Sequence, residues 1–302
     1  MKTKVLLNMG AGTLNGDDSN IGLLKGLFRK FGIDAEIIAA PDSGIREQSR
    51  RAAESKPDIL LAGGGDGTIS LVASALANTQ TSLGILPLGT LNHFAKDLQI
   101  PMDLEGAVEL IAKGPVRSVD MGEVNGHYFI NNSSLGIYPR LVKDREEQRL
   151  QLGIGKWPAL VIAAFKVFRR AADFKVEIIS GNIDVVRRTP FVFVGNNEYE
   201  VSLFTIRNRA GLDGGVLSVY IGNRGGRLEL LRLALRALAG KLEQEKDFTA
   251  LTLKQCVIRT RSRMITTAVD GELSKMSTPL HYRSHPGALR VIAPEKAGTA
   301  HA

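Results

Sequence analysis

The chain has 302 residues, 44% of them hydrophobic, enough to bury one large core or two ordinary ones, and two domains is the expectation. Its formal charge of +8 is uneven: residues 1–116 hold 11 Lys/Arg against 13 Asp/Glu, residues 117–302 hold 28 against 18, so the second half is expected to face an anionic partner. A single cysteine, Cys256, excludes an intramolecular disulfide and a cysteine zinc cluster, and no apolar run approaches the length of a membrane span. The opening MKTKVLLNMG is too briefly apolar for a signal peptide, so a cytoplasmic protein whose membrane contact is peripheral is expected.

In chain order, residues 4–8 form a short apolar strand, followed by glycines at 10, 12 and 16 that fit the dinucleotide fingerprint poorly. Asn8, taken alone, holds its own turn. Ile21, Leu23, Leu24, Leu27, Phe28 and Phe31 make a helical stripe over 19–31, closed by Gly32. Residues 35–39 read as a second strand and 45–55 as a charged helix. The unbroken apolar run 59–62 then reads as a strand buried on both faces, ending at Gly63-Gly64-Gly65-Asp66-Gly67-Thr68. Such glycines let a ligand approach the backbone, and a helix expected over 69–77 would aim its first amides at an anion. The loop lacks the Lys-Ser/Thr pair of a Walker A loop, and a carboxylate stands there instead. Beside phosphates Asp66 needs a cation, which suggests Mg²⁺. The competing reading is a glycine-rich turn with a capping Asp or Thr.

Residues 83–86 are the next buried strand, and Leu86-Pro-Leu-Gly-Thr90-Leu-Asn92-His-Phe-Ala95 forms a second loop at the same sheet edge, with Thr90 and Asn92 facing a ligand. His93 reads as a solvated loop histidine. A helix over 104–113, closed by Gly114-Pro115, precedes the domain boundary. The strand–helix alternation up to this point predicts a parallel sheet with ligands at the carboxyl ends of its strands. Beyond it, short β-rich runs at 119–124, 126–131, 175–179, 185–194, 216–221, 251–259 and 264–269 predict an antiparallel sandwich. Two basic amphipathic helices, 156–173 and 227–242, could cover the sheet or meet a membrane. The amide-rich segments 131–136 and 194–199 line a cleft or make turns, and Val269-Asp270-Gly271-Glu272 reads locally as a hairpin turn.

Taken together and in order, GGGDGT, LPLGTLNHFA and VDGE resemble the diacylglycerol kinase and sphingosine kinase family, especially its soluble bacterial members, from the strand at Val5 to the segment at Val291. GGDGT alone is shared with NAD kinases. The resemblance implies an α/β nucleotide-binding domain over 1–116, similar to phosphofructokinase and NAD kinase, and a β-sandwich lipid-binding domain over 117–286. The segment from Gly287 resembles the last strand, which in the family returns towards the first domain. The implied activity is transfer of the γ-phosphate of ATP, with Mg²⁺, to the hydroxyl of a diacylglycerol-like lipid, a step of phospholipid biosynthesis.

Carried over residue by residue, Asn8 and Gly12 match an Asn-Pro-x-x-Gly turn that touches nucleotide phosphates, with Met9 in place of the proline. Gly64, Gly65, Asp66, Gly67 and Thr68 match the phosphate loop, Asp66 also serving the metal, and Thr90 and Asn92 match nucleotide and acceptor contacts. Glu272 matches the base that takes the acceptor's proton, with Asp270 beside it. Gly211-Leu-Asp213-Gly214 matches a Leu-Asp-Asp-Gly segment whose second carboxylate belongs to a metal site in some bacterial relatives; Asp213 remains and Gly214 removes the other. Ala39 and His93 also depart from the family's threonine and aspartate. The implied partners are a lipid substrate and the anionic inner face of the membrane, met peripherally, with no nucleic acid; a homodimer is left open. Two alternatives stand beside this. An NAD-kinase-like small-molecule kinase is opposed by the lack of an Asn-Glu-Asp style motif. A catalytically silent lipid-binding or regulatory homologue can cite Gly214 and Ala39, against the retention of Asp66, Thr68, Asn92, Asp270 and Glu272.

Overall fold

A strand with no polar position must be covered on both faces, and β3 (Ile59–Gly64) is buried at every residue in the computed structural model, which describes residues 2–10, 18–136, 139, 173–199, 211–222 and 248–295. The chain divides into two units, Met1–Met121 with Pro286–Ala302, and Gly122–His285. In the first unit β3 is flanked by β1 (Thr3–Asn8) and β4 (Ser82–Pro87), with β2 (Ala35–Ala40) outside β1 and the last residues of β16 (Leu280–Ile292) outside β4. All these neighbours are parallel. Parallel pairing needs crossovers, supplied by α1 (Asp18–Lys30), α2 (Ile45–Glu54) and α3 (Asp66–Ala75); α4 (His93–Asp97) and α5 (Leu104–Lys113) follow β4. Leu7, Leu24, Phe28, Leu61, Leu86, Val108 and Ile292 form the core, and the Asp103 carboxylate caps α5 by accepting from the Gly106 amide at 2.7 Å.

Two details place the site. β1 has β2 on one side and β3 on the other, so the strand order reverses there and opens a crevice at the carboxyl ends of β1 and β3. The helix after β3 begins at Asp66 and not at 69, where the apolar stripe starts, so Asp66, Gly67 and Thr68 form its first turn.

The named elements of the second unit among the described residues are all strands. One antiparallel sheet runs, in spatial order, through β12 (Phe248–Leu253), β11 (Leu217–Gly222), β10 (Phe191–Asn196), β7 (Asn132–Gly136), β14 (Met264–Val269) and β15 (Glu272–Ser277). A second set is β9 (Ile183–Thr189), β8 (Phe174–Ser180), β13 (Gln255–Thr260) and the first residues of β16, while β6 (His127–Phe129) pairs with the end of β5 (Val116–Val124). Side chains of both sets, among them Leu135, Val176, Ile178, Val192, Val219, Ile258 and Tyr282, share one core, which makes a sandwich.

The expected run 185–194 is two strands parted at Pro190, which cannot donate to a ladder, and 251–259 is two strands in different sheets parted at Lys254. β7 and β15 were not expected as strands. Gly12 and the expected helices at 156–173 (apart from Asp173) and 227–242 lie outside the described residues. No helix among the described residues is long and apolar enough to cross a membrane.

Candidate active site

At the end of β3 the chain turns into α3 through Gly65, which caps the helix with extended backbone (φ −88°, ψ −175°) and offers no side chain to its amides. The amides of Asp66, Gly67 and Thr68 have no acceptor within a helix and sit at its positive end, a ready seat for an anion. Packing demands glycine at two places around this turn. A Cβ on Gly64 would lie 2.5 Å from Thr68 Oγ1, and one on Gly89 would lie 2.4 Å from Gly65 Cα, so the loops after β3 and β4 pass backbone to backbone. Gly67 differs: it is exposed with nothing within 4 Å of a Cβ, so its bareness leaves the helix start open to approach.

The buried Asn8 side chain ties the crevice together. Its Nδ2 donates to Thr68 Oγ1 at 2.9 Å and to Asp42 Oδ1 at 2.8 Å, and its Oδ1 accepts from the Gly10 amide at 2.9 Å. Both amide protons are thereby used. Thr68 Oγ1 accepts from Asn8, which turns the hydroxyl proton elsewhere and leaves it as the group Thr68 can offer. Asp42, in the short turn after β2, went unnoticed in the sequence; the Pro41-Asp42 pair after a strand was its one signal. Asn92, in left-handed backbone (φ 51°), is occupied with its own loop: Nδ2 donates to the Pro87 and Gly89 carbonyls at 3.1 and 2.8 Å, and Oδ1 accepts from the Gly89 amide at 3.1 Å. Thr90 is exposed at the loop tip.

Asp66 is partly buried, and its Oδ1 accepts a long 3.4 Å bond from the Phe94 amide. One carboxylate beside open amides suits Mg²⁺, which is held by one or two carboxylates together with substrate phosphates rather than by a protein cage. Among the described residues no three His, Cys, Asp or Glu side chains gather to hold a metal by themselves. Asp213 is exposed, and Gly214 beside it gives its amide to Asn197 Oδ1 at 3.0 Å, so this segment offers a cation a single carboxylate.

In the second unit Asp270 and Gly271 join β14 to β15 with φ of 46° and 87°, the signature of a type I′ hairpin, and set Val269 opposite Glu272. The Asp270 carboxylate accepts three successive backbone amides, Ile130 at 2.9 Å on Oδ2 and Asn131 and Asn132 at 2.8 and 2.9 Å on Oδ1. Its own amide donates to the Asn132 carbonyl at 2.8 Å. Asp270 thus fastens the hairpin to the start of β7, and Glu272, partly buried, is the first residue beyond the fastening. The asparagines nearby serve the same sheet edge. Asn196 Nδ2 donates to the Ile130 carbonyl at 3.1 Å, and the Tyr199 hydroxyl donates to the Asn131 carbonyl at 2.7 Å.

Residues 2–124 match the family model of the diacylglycerol kinase catalytic domain, and residues 133–293 that of the YegS C-terminal NAD kinase beta sandwich-like domain. A diacylglycerol kinase of Staphylococcus epidermidis is 34% identical over 134 residues, 43% of this chain and 42% of that protein. A YegS-like lipid kinase of Pectobacterium atrosepticum is 33% identical over 177 residues, 57% and 58% of the two, and a diacylglycerol kinase of Staphylococcus aureus 30% over 198, 64% and 62%. Each match spans less than two thirds of the relative's length. A crystal structure of a diacylglycerol kinase from Bacillus anthracis str. Sterne superposes with a TM-score of 0.68 at 22% identity, and another structure from that strain with 0.74 at 25%, each over 97% of both chains. These likenesses establish the fold.

Proposed function

We propose, since the chain belongs to the lipid kinase family in which a diacylglycerol kinase catalytic domain precedes a YegS-type sandwich, that it moves the γ-phosphate of ATP to the hydroxyl of a diacylglycerol-like lipid. The observation that carries the reading is the open start of α3 behind Gly65, with Asp66 in its first turn. Phosphoryl transfer asks a protein for placement and charge neutralisation more than for covalent chemistry. The amides of Asp66 to Thr68 and the Thr68 hydroxyl would hold phosphate oxygens, and Asp66 would hold Mg²⁺. The ion, when bound, neutralises the charge on the phosphates.

Glu272 is assigned the acceptor's proton: as the lipid oxygen bonds to the γ-phosphorus and the bond to the ADP oxygen breaks, the hydroxyl proton passes to the Glu272 carboxylate. Asp270 is assigned to positioning, because backbone amides take both its oxygens. The place of work is the inner face of the membrane, in phospholipid biosynthesis.

The kinship of the sandwich with NAD kinases supports one other reading, phosphorylation of NAD. Labelled ATP, Mg²⁺, a mixed lipid extract and NAD in one incubation decide between them. Label is expected in a phosphatidic-acid-type lipid. Label appearing in NADP and not in lipid would establish the NAD-kinase reading, and label that stays in ATP would establish the silent one.

A further inference from the structure

Val176 and Ile178 of β8 point into the sandwich core, so the alternation of the strand turns Lys175, Glu177 and Ile179 outward. Register sets Lys175 directly opposite Arg188 of β9, and Glu177 opposite both Val186 of β9 and Arg259 of β13. Glu177 is taken by Arg259 at 3.5 Å. Lys175 and Arg188 are both exposed, and among the described residues neither has a carboxylate partner. Like charges directly opposite on neighbouring strands repel, and a bound anion relieves the repulsion. The same corner gathers more cations, Arg261 and Arg263 in the turn after β13, both exposed, whereas Arg187 stands opposite Val176 on the other face of the sheet. Among the described residues, against these five cations, Arg259 included, stand Glu177, Asp173 at the start of β8, and Asp184 further along β9. Two large apolar side chains project among them, Val186 at 43% and Met264 at 55% exposure.

Exposed apolar side chains ringed by Arg and Lys suit an anionic bilayer, where the cations meet headgroups and the apolar chains enter the interface. We propose that this corner of the second unit, formed by β8, β9 and the turn after β13, is the surface by which the chain docks on anionic lipid. The inference does not depend on the kinase reading, and its test uses neither nucleotide nor turnover.

The full chain is sedimented with phosphatidylcholine vesicles with and without phosphatidylglycerol. The unaltered chain should bind only the anionic vesicles and release as salt rises. Lys175→Gln with Arg188→Gln should lower the partition constant about 30-fold, the effect of two charges near such a surface. Lys25→Gln with Arg29→Gln, an equal charge loss on exposed residues of α1, should change it several-fold less. Met264→Ser should weaken binding even at high salt. Equal partition onto neutral vesicles, or equal losses in the two charge pairs, would overturn the proposal. So would a duplex DNA that displaces the chain from vesicles at matched phosphate concentration, or a dimer in solution that the Lys175/Arg188 variant abolishes while vesicle binding stays intact.

Discussion

Replacing Asp270 by glycine removes one carboxylate and should loosen the hairpin that carries Glu272. Three amides lose their acceptor, and one of them belongs to the fully buried Ile130. A hydrogen bond to a charged group contributes about 1.5–3 kcal/mol, and three that share one carboxylate are not additive, so about 2–4 kcal/mol is the expected loss for the second unit. For a body of this size that lowers the melting temperature by roughly 5–15 °C. Glycine suits the left-handed backbone at 270 (φ 46°), so the loss reports the carboxylate alone; alanine should cost about 1–2 kcal/mol more, for strain. Asparagine tolerates that backbone and keeps an oxygen for Asn131 and Asn132, but turns an NH₂ towards the Ile130 amide, so it should fall between the unaltered chain and glycine. Calorimetric melting of the three variants makes the comparison. A glycine variant that melts within about 2 °C of the unaltered chain would refute the claim that these bonds hold the hairpin.

Gly89→Ala forces a Cβ against Gly65 Cα and should destabilise the first unit by about 1–3 kcal/mol while abolishing nucleotide binding. Gly67→Ala meets nothing and gains helix propensity, so melting should stay level or rise while titration calorimetry shows weaker nucleotide binding; unchanged affinity would mean the phosphates do not reach the helix start. Burial pushes the Cys256 thiol up to about 12 from 9.0, so the unfolded chain loses that proton first. Stability should therefore be intact below pH 9 and fall by up to ~1.4 kcal/mol per unit between about 9 and 12, and Cys256→Val should flatten urea midpoints over that window.

The parallel half was readable because its strands are unbroken apolar runs such as 59–62 and its helices carry clear stripes. Even there, the start of α3 was hidden, since Asp66, Gly67 and Thr68 add nothing to an apolar stripe. The sandwich was harder. β7, Asn132–Gly136, buries Ser133 and Ser134 completely or nearly so and shows no alternation, because its polar side chains sit inside a sheet. β15 buries only Met276, too little for a pattern. Chain-distant ties could not be read at all. The Asn8–Asp42 bond and the contact of Gly65 with Gly89 join loops that only the folded sheet brings together. Asp270 shows the limit of motif reading: the residue stands in VDGE, but its work with the amides of 130–132 is visible only in three dimensions.

The central claim divides the labour between Asp66, acting on metal and nucleotide, and Glu272, acting on the acceptor hydroxyl. Single-turnover phosphorylation of a diacylglycerol, set beside calorimetric affinity for Mg-ATP, tests it in one measurement on Asp66→Ala and Glu272→Ala. Asp66→Ala should lose affinity and turnover together. Glu272→Ala should bind Mg-ATP nearly as the unaltered chain does and transfer phosphate slower by on the order of 10²–10⁴, the usual effect of removing a positioned base. Near-normal transfer by Glu272→Ala, on a lipid that the unaltered chain phosphorylates, would contradict the account.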